Sequence, residues 1–182
     1  MTEVYQGITY VIPCGGAKLG HAAPAAQLYT GSMFRHTLEK VTRCAELDTA
    51  AGLGPARVLI LSARYGLVEL SDMLEPYDVK MSDAGSVTAD QVAEQASALG
   101  IEWRAQVYAF LPRPYLARLD AALRTLDVYV QDVYEGCGGI LQQKRVNVSV
   151  AREDVAPVNS TRRPGFSPAP WSAPPPRACE AW

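Results

Sequence analysis

The chain has 182 residues, 48% of them hydrophobic and 20% charged, and a formal net charge of −2. That length supports one domain with a sizeable core, and the balance is that of an ordinary globular protein. The slightly acidic total excludes nucleic-acid binding by bulk charge, though not a local basic groove.

Gly7 to Pro13 reads GITYVIP, β-branched and aromatic residues bounded by glycine and proline, which predicts a strand. It empties into the glycine-rich loop Cys14-Gly15-Gly16-Ala17-Lys18-Leu19-Gly20-His21. Pro24 to Tyr29 leads toward a helix that Ser32 is expected to cap, with Phe34, Leu38, Val41 and Ala45 at helical spacing to about Leu47. Gly52-Leu53-Gly54-Pro55 is a break.

Val58 to Leu61 then runs straight into Ser62-Ala63-Arg64-Tyr65-Gly66, a buried strand ending in a polar turn, and Glu75-Pro76-Tyr77-Asp78 follows. Thr88 resembles a helix cap for Ala89 to about Leu99, with Gly100 as the terminating glycine. Gln106 to Leu111 predicts a third strand that Pro112 and Pro114 terminate. Tyr115, Leu116, Leu119, Ala122, Leu123 and Leu126 mark an amphipathic helix. Asp127 to Gln131 is a short strand or a loop; a second glycine cluster, Tyr134 to Ile140, precedes Gln142-Gln143-Lys144-Arg145, and Val146 to Val150 suits a last strand.

Seven of the thirteen prolines fall between Pro157 and Pro176. Residues 151–182 therefore read as a Pro-rich disordered tail on an α/β domain of residues 1–150. Alternating strands and helices predict a single three-layer α/β sandwich with a mainly parallel sheet, whose strand order three clear strands do not define.

The segment MTEVYQGITYVIP has no positive n-region and no long apolar stretch, so no signal peptide is expected. Apolar runs such as Val58–Leu61 are far too short to cross a bilayer. A cytoplasmic protein without a membrane partner is the expectation. Cys14, Cys44, Cys137 and Cys179 form no CxxC pair, so neither a zinc site nor a disulfide framework is expected, and no cofactor motif stands out.

Three segments can carry chemistry. In Cys14-Gly15-Gly16-Ala17-Lys18, glycines let backbone amides approach an anion and lysine adds a point charge suited to phosphate. The loop is neither a Walker A loop nor GxGxxG, and a tight turn with a solvated lysine is the plain alternative. Cys14 as a nucleophile competes with an incidental thiol, His21 being the nearest candidate base.

In the second segment Ser62 can bond its own turn, Arg64 adds a cation, Tyr65 can lie against a ring and Gly66 permits close backbone approach. Glu75 and Asp78 flank a rigid proline and Tyr77; such carboxylates can activate water, stabilise an oxocarbenium-like centre or hold a ribose hydroxyl. A loop with an aromatic lid and a surface turn with solvated acids are the structural alternatives. In the third, Gly136 and Gly138 precede Gln142, whose amide has the donor and acceptor needed to read a base edge.

The order of these segments resembles an uncharacterised domain-of-unknown-function family of bacteria and their phages, with members reading roughly C-x-x-x-K…PAxxLY…LSAKYGL…EPYD. Here the pattern runs through Cys14–Lys18, Ala23–Phe34, Leu59–Val68, Leu74–Asp78 and a terminal glycine loop before glutamines, over about Met1 to Val150, with Arg64 where lysine is common. That family is distantly similar to the peroxide-stress YaaA-like proteins and to uracil-DNA-glycosylase-like α/β folds. The resemblance implies a three-layer α/β domain directed at nucleic acid or a nucleobase derivative. Neither a GQDPY-type nor an HPS-type glycosylase loop is present in the sequence.

Three functions are therefore expected of such residues. The first is a nucleobase- or nucleotide-directed enzyme, N-glycosidase-like: Lys18 and Tyr29 with the glycine loop would line the ligand, Tyr65 and Tyr77 would stack on a base, Glu75 or Asp78 would do the chemistry, and Gln142 would read the base. A base in duplex DNA would have to be flipped out. The second is a non-catalytic nucleotide- or nucleic-acid-binding module in stress or phage–host conflict. The third is an adaptor recruited through its Pro-rich tail, with Trp171 or Trp182 as anchor.

Overall fold

The computed structural model describes residues 7–103 and 105–135. In chain order they form β1 (Ile8–Pro13), β2 (Ala23–Pro24), α1 (Ala25–Leu28), α2 (Ser32–Ala50), β3 (Ala56–Ser62), β4 (Gly66–Glu69), β5 (Met73–Leu74), α3 (Ala89–Ala98), β6 (Gln106–Ala109), α4 (Arg113–Arg124) and β7 (Val130–Asp132). The main sheet has the order β4-β3-β1-β6-β7, and β2 pairs with β5 in a separate two-stranded ribbon. Strands β3, β1, β6 and β7 are parallel, and only β4 runs antiparallel, against β3. The expected mainly parallel α/β architecture is the one observed.

A strand alternates its side chains between two faces, and here both faces are buried. Ile8, Tyr10 and Ile12 of β1 join Val58, Ile60 and Tyr108 against Phe34, Val41 and Cys44 of α2. Val11, Leu59, Leu61, Val107 and Ala109 pack the other way, against Val92 and Ala96 of α3 and Leu119 and Leu123 of α4. That gives three layers. β1 crosses to β3 through α2 on one face, and β6 crosses to β7 through α4 on the opposite face and in the opposite direction. A single handedness of crossover requires that arrangement.

Local signals set the helix ends. Thr88 caps α3 through a reciprocal capping box with Gln91, as its sequence indicates. Gly100 follows the helix at φ +72°. Its N–H reaches Ser97 O and the Ile101 N–H reaches Ala96 O, the two bonds of a Schellman ending. Two expectations need correction. Gly31, not Ser32, is the cap of α2, no side chain caps it, and the helix continues three residues past Leu47 to Ala50. The third strand stops at Ala109, since Pro112 already precedes the first turn of α4. Val146–Val150 and the Pro-rich segment lie outside the described residues.

Strand β4 was not legible in the turn. Gly66 takes φ +77°, where an L side chain is strained. A Cβ there would fall 1.9 Å from Gln95 Oε1. The Gln95 amide fills that space and acts as a backbone substitute: Oε1 accepts from the Leu67 N–H at 2.9 Å, and Nε2 donates to Tyr65 O at 2.7 Å. Helix α3 thereby holds the chain reversal that follows β3.

Candidate functional site at the carboxyl edge of the sheet

All four parallel strands end at one edge. The loop from β1 leaves toward α2 and the loop from β6 toward α4, on opposite faces, so the sheet's topological switch point lies between β1 and β6. Open α/β sheets place ligands in that crevice. Cys14 leaves β1 there, its N–H bonded to Leu61 O at 3.1 Å. Its Sγ lies 3.2 Å from Tyr115 Oη on the first turn of α4. Among the described residues no hydrogen bond joins His21 to Cys14.

Ser62 is the last residue of β3 and is fully buried. Its Oγ accepts from the N–H groups of Arg64 at 3.3 Å and Tyr65 at 3.1 Å, closing the turn. It lies 2.7 Å from Tyr77 Oη, which is also 3.0 Å from Tyr29 Oη. The Tyr77 ring meets Tyr65 and Tyr29 edge-on, with centroids 5.4 and 6.5 Å away. Tyr65 in turn donates its hydroxyl to Glu75 O at 3.2 Å. The LSARYG and EPYD segments therefore form one structure.

The glycine loop reaches the same place. Leu19 N–H bonds to Leu28 O and Thr30 N–H to Ala17 O, which pairs Lys18 with Tyr29 across a single bridge. Lys18 Nζ thus sits 4.3 Å from the Tyr77 ring centroid and 5.9 Å from that of Tyr29, a cation–π contact. It also donates to Gly16 O at 3.2 Å. A Cβ on Gly15 would press on Tyr29 Cβ at 3.2 Å, whereas nothing approaches Gly16. Lys18 lies over the Tyr77 ring.

Burial sets the protonation of this cluster. Tyr29 is pushed up to about 12, chiefly by burial. Burial likewise raises Tyr77 and Tyr115, with the Cys14 sulfur adding to both. All three phenols are neutral hydrogen-bond donors at physiological pH.

The remaining candidates differ in setting. Arg64 is exposed, its guanidinium 5.6 Å from the Tyr65 ring. Glu75 and Asp78 are exposed and make no side-chain hydrogen bond or ion pair among the described residues. Gly136, Gly138 and Gln142 lie outside the described residues. The structure thus brings together Cys14, Lys18, Tyr29, Ser62, Tyr65, Tyr77 and the Glu75 backbone.

Two carboxyl-edge residues escaped the sequence reading. Tyr115 looks like one more apolar position of α4, and nothing local ties it to Cys14. Asp132 ends β7 in register with Ala109. Burial raises its carboxyl pKa, against the Tyr134 N–H that it accepts at 2.9 Å and the nearby Arg113.

A profile of DUF6884, a family of unknown function, matches residues 9–146. The chain belongs to the DUF6884 family. The matched span contains all of β1 but its first residue, every later element to β7 and every residue of the cluster. It agrees with the uncharacterised domain that the segment order indicates. No curated protein and no solved structure matches the chain. No helix among the described residues is long and apolar enough to cross a membrane.

Proposed function

We propose that this DUF6884 chain binds a nucleobase- or nucleotide-like ligand at the carboxyl edge of β1, β3 and β6 and cleaves its N-glycosidic bond. The observation that carries this reading is the meeting, at the switch point, of Lys18, the Ser62–Tyr77–Tyr29 hydroxyls and the Cys14–Tyr115 pair. An ammonium and neutral phenols suit the phosphate and sugar of a nucleotide. Glu75 or Asp78, on a segment stiffened by Pro76 and tied by Tyr65 to its backbone, supplies the carboxylate. It draws a proton from water as oxygen bonds to the sugar C1′, the C1′–N bond breaks, and the base leaves and is protonated. The setting is cytoplasmic.

A screen of modified nucleosides and modified DNA for binding and base release tests the proposal. Glu75→Gln or Asp78→Asn should abolish release while ligand affinity survives. Full activity in both variants would overturn the catalytic assignment. The exposure of both carboxylates favours a second reading, a module that binds such ligands without cleaving them. Affinity that falls steeply with salt, and no base released from any substrate, would select it.

A further inference from the structure

Ser62 Oγ accepts two backbone N–H groups, so both of its lone pairs are in use and its own proton goes to Tyr77 Oη, 2.7 Å away. Direction is then set along the chain of hydroxyls. The Ser62, Tyr77 and Tyr29 group has three protons for two internal contacts, and the Cys14–Tyr115 pair has two protons for one. Each group therefore has one donor left over. Among the described residues no carbonyl or carboxylate accepts it.

The neighbouring loop is also rich in donors. The N–H groups of Gly15, Gly16 and Ala17 find no backbone or side-chain acceptor among the described residues, and Lys18 adds an ammonium beside them. A site with surplus O–H, N–H and ammonium donors, and no carboxylate hydrogen-bonded to them, calls for a ligand made of acceptors carrying negative charge.

We propose that the Ser62–Tyr77–Tyr29 and Cys14–Tyr115 hydroxyl–thiol network, with Lys18 and the Gly15–Ala17 amides, is a phosphate-binding site, and that Tyr115 belongs to it. The assignment rests on the nucleotide reading above and gives it a charged group to hold. Each link donates in one direction, so the polarised chain strengthens the terminal donor. Burial keeps the phenols protonated against the incoming charge.

Calorimetry on the full chain tests this with inorganic phosphate, nucleoside 5′-monophosphates, the matching nucleosides, and single-stranded oligonucleotides with and without a 5′-phosphate. Monophosphates should bind at least about tenfold tighter than their nucleosides. Lys18→Met and Tyr115→Phe should each weaken that binding about tenfold with the fold retained by circular dichroism, and should weaken nucleoside binding far less. Tyr77→Phe is a further variant whose folding circular dichroism checks. A gain from the 5′-phosphate on oligonucleotides as large as that on mononucleotides would place the site at nucleic-acid ends; a gain on mononucleotides alone would make it a free-nucleotide site.

A nucleoside that binds as tightly as its monophosphate overturns the phosphate assignment and leaves the nucleobase reading standing. Tight inorganic phosphate with no preference for any nucleotide upholds the assignment and overturns that reading. Unchanged phosphate affinity in Tyr115→Phe removes Tyr115 from the site.

Discussion

Replacing Gly66 with alanine tests whether Gln95 holds the chain reversal on which the site is built. Gly66 sits at φ +77°, and the left-handed backbone costs a residue with a Cβ about 1–2 kcal/mol. The new Cβ would also fall 1.9 Å from Gln95 Oε1, so the amide must leave. Its bonds to Leu67 N–H and Tyr65 O break, at about 1 kcal/mol each. The total is about 3–4 kcal/mol, a large share of the stability of a domain this size. Urea unfolding followed by circular dichroism and fluorescence measures it. Gln95→Ala alone should cost about 2 kcal/mol. Adding Gly66→Ala to that variant should then cost only the backbone strain, about 1–2 kcal/mol. Fully additive losses, or a Gly66→Ala cost under about 1 kcal/mol, would refute the reasoning.

Other outcomes follow from the same geometry. Tyr29 is fully buried and its hydroxyl rises from 10.0 to about 12 on folding. Its contribution is therefore intact below pH 10 and lost as pH climbs through 12, worth about 3 kcal/mol; Tyr29→Phe should flatten that alkaline decline in denaturant midpoints. Thr88→Ala, which loses the bond from the Gln91 N–H, should cost about 1 kcal/mol by thermal unfolding, and Thr88→Ser should restore most of it. Asp132→Asn keeps an oxygen for the Tyr134 N–H and removes a charge that burial disfavours. It should not destabilise at pH 7, and any advantage should fade on acidification as the parent carboxyl protonates, since a raised carboxyl favours the fold below its unfolded pKa.

What the sequence discloses and what it hides divide by range. Strands β1 and β3 stand out because their β-branched runs end in proline, cysteine or serine within a few residues. The ends of α3 are equally local: Thr88, Gln91 and Gly100 announce them. Strand β4 is only four residues, starting on the glycine that ends the polar turn, and its reversal depends on Gln95, far along the chain on another element. The strand order is non-local too, since parallel neighbours are separated by whole helices. Of the site, Lys18, Ser62, Tyr65 and Tyr77 announce themselves by lying just past a strand or beside a proline. Tyr115 does not, because only the completed sheet brings it to Cys14, 101 residues away in sequence.

The ties from Ser62 to Tyr77 and from Tyr65 to Glu75 close residues 62–77 into a loop pinned at its own base. Such a loop opens as one cooperative unit. The amides of Arg64, Tyr65 and Leu67, each bonded to a side chain rather than to a ladder, should exchange with solvent at a common rate. The tip, Ser71 to Met73, is exposed and tied elsewhere, since Asp72 O accepts from the Ala25 N–H and Met73 pairs with Pro24. A protease cutting there would sever the chain between the two segments yet leave their hydroxyls joined.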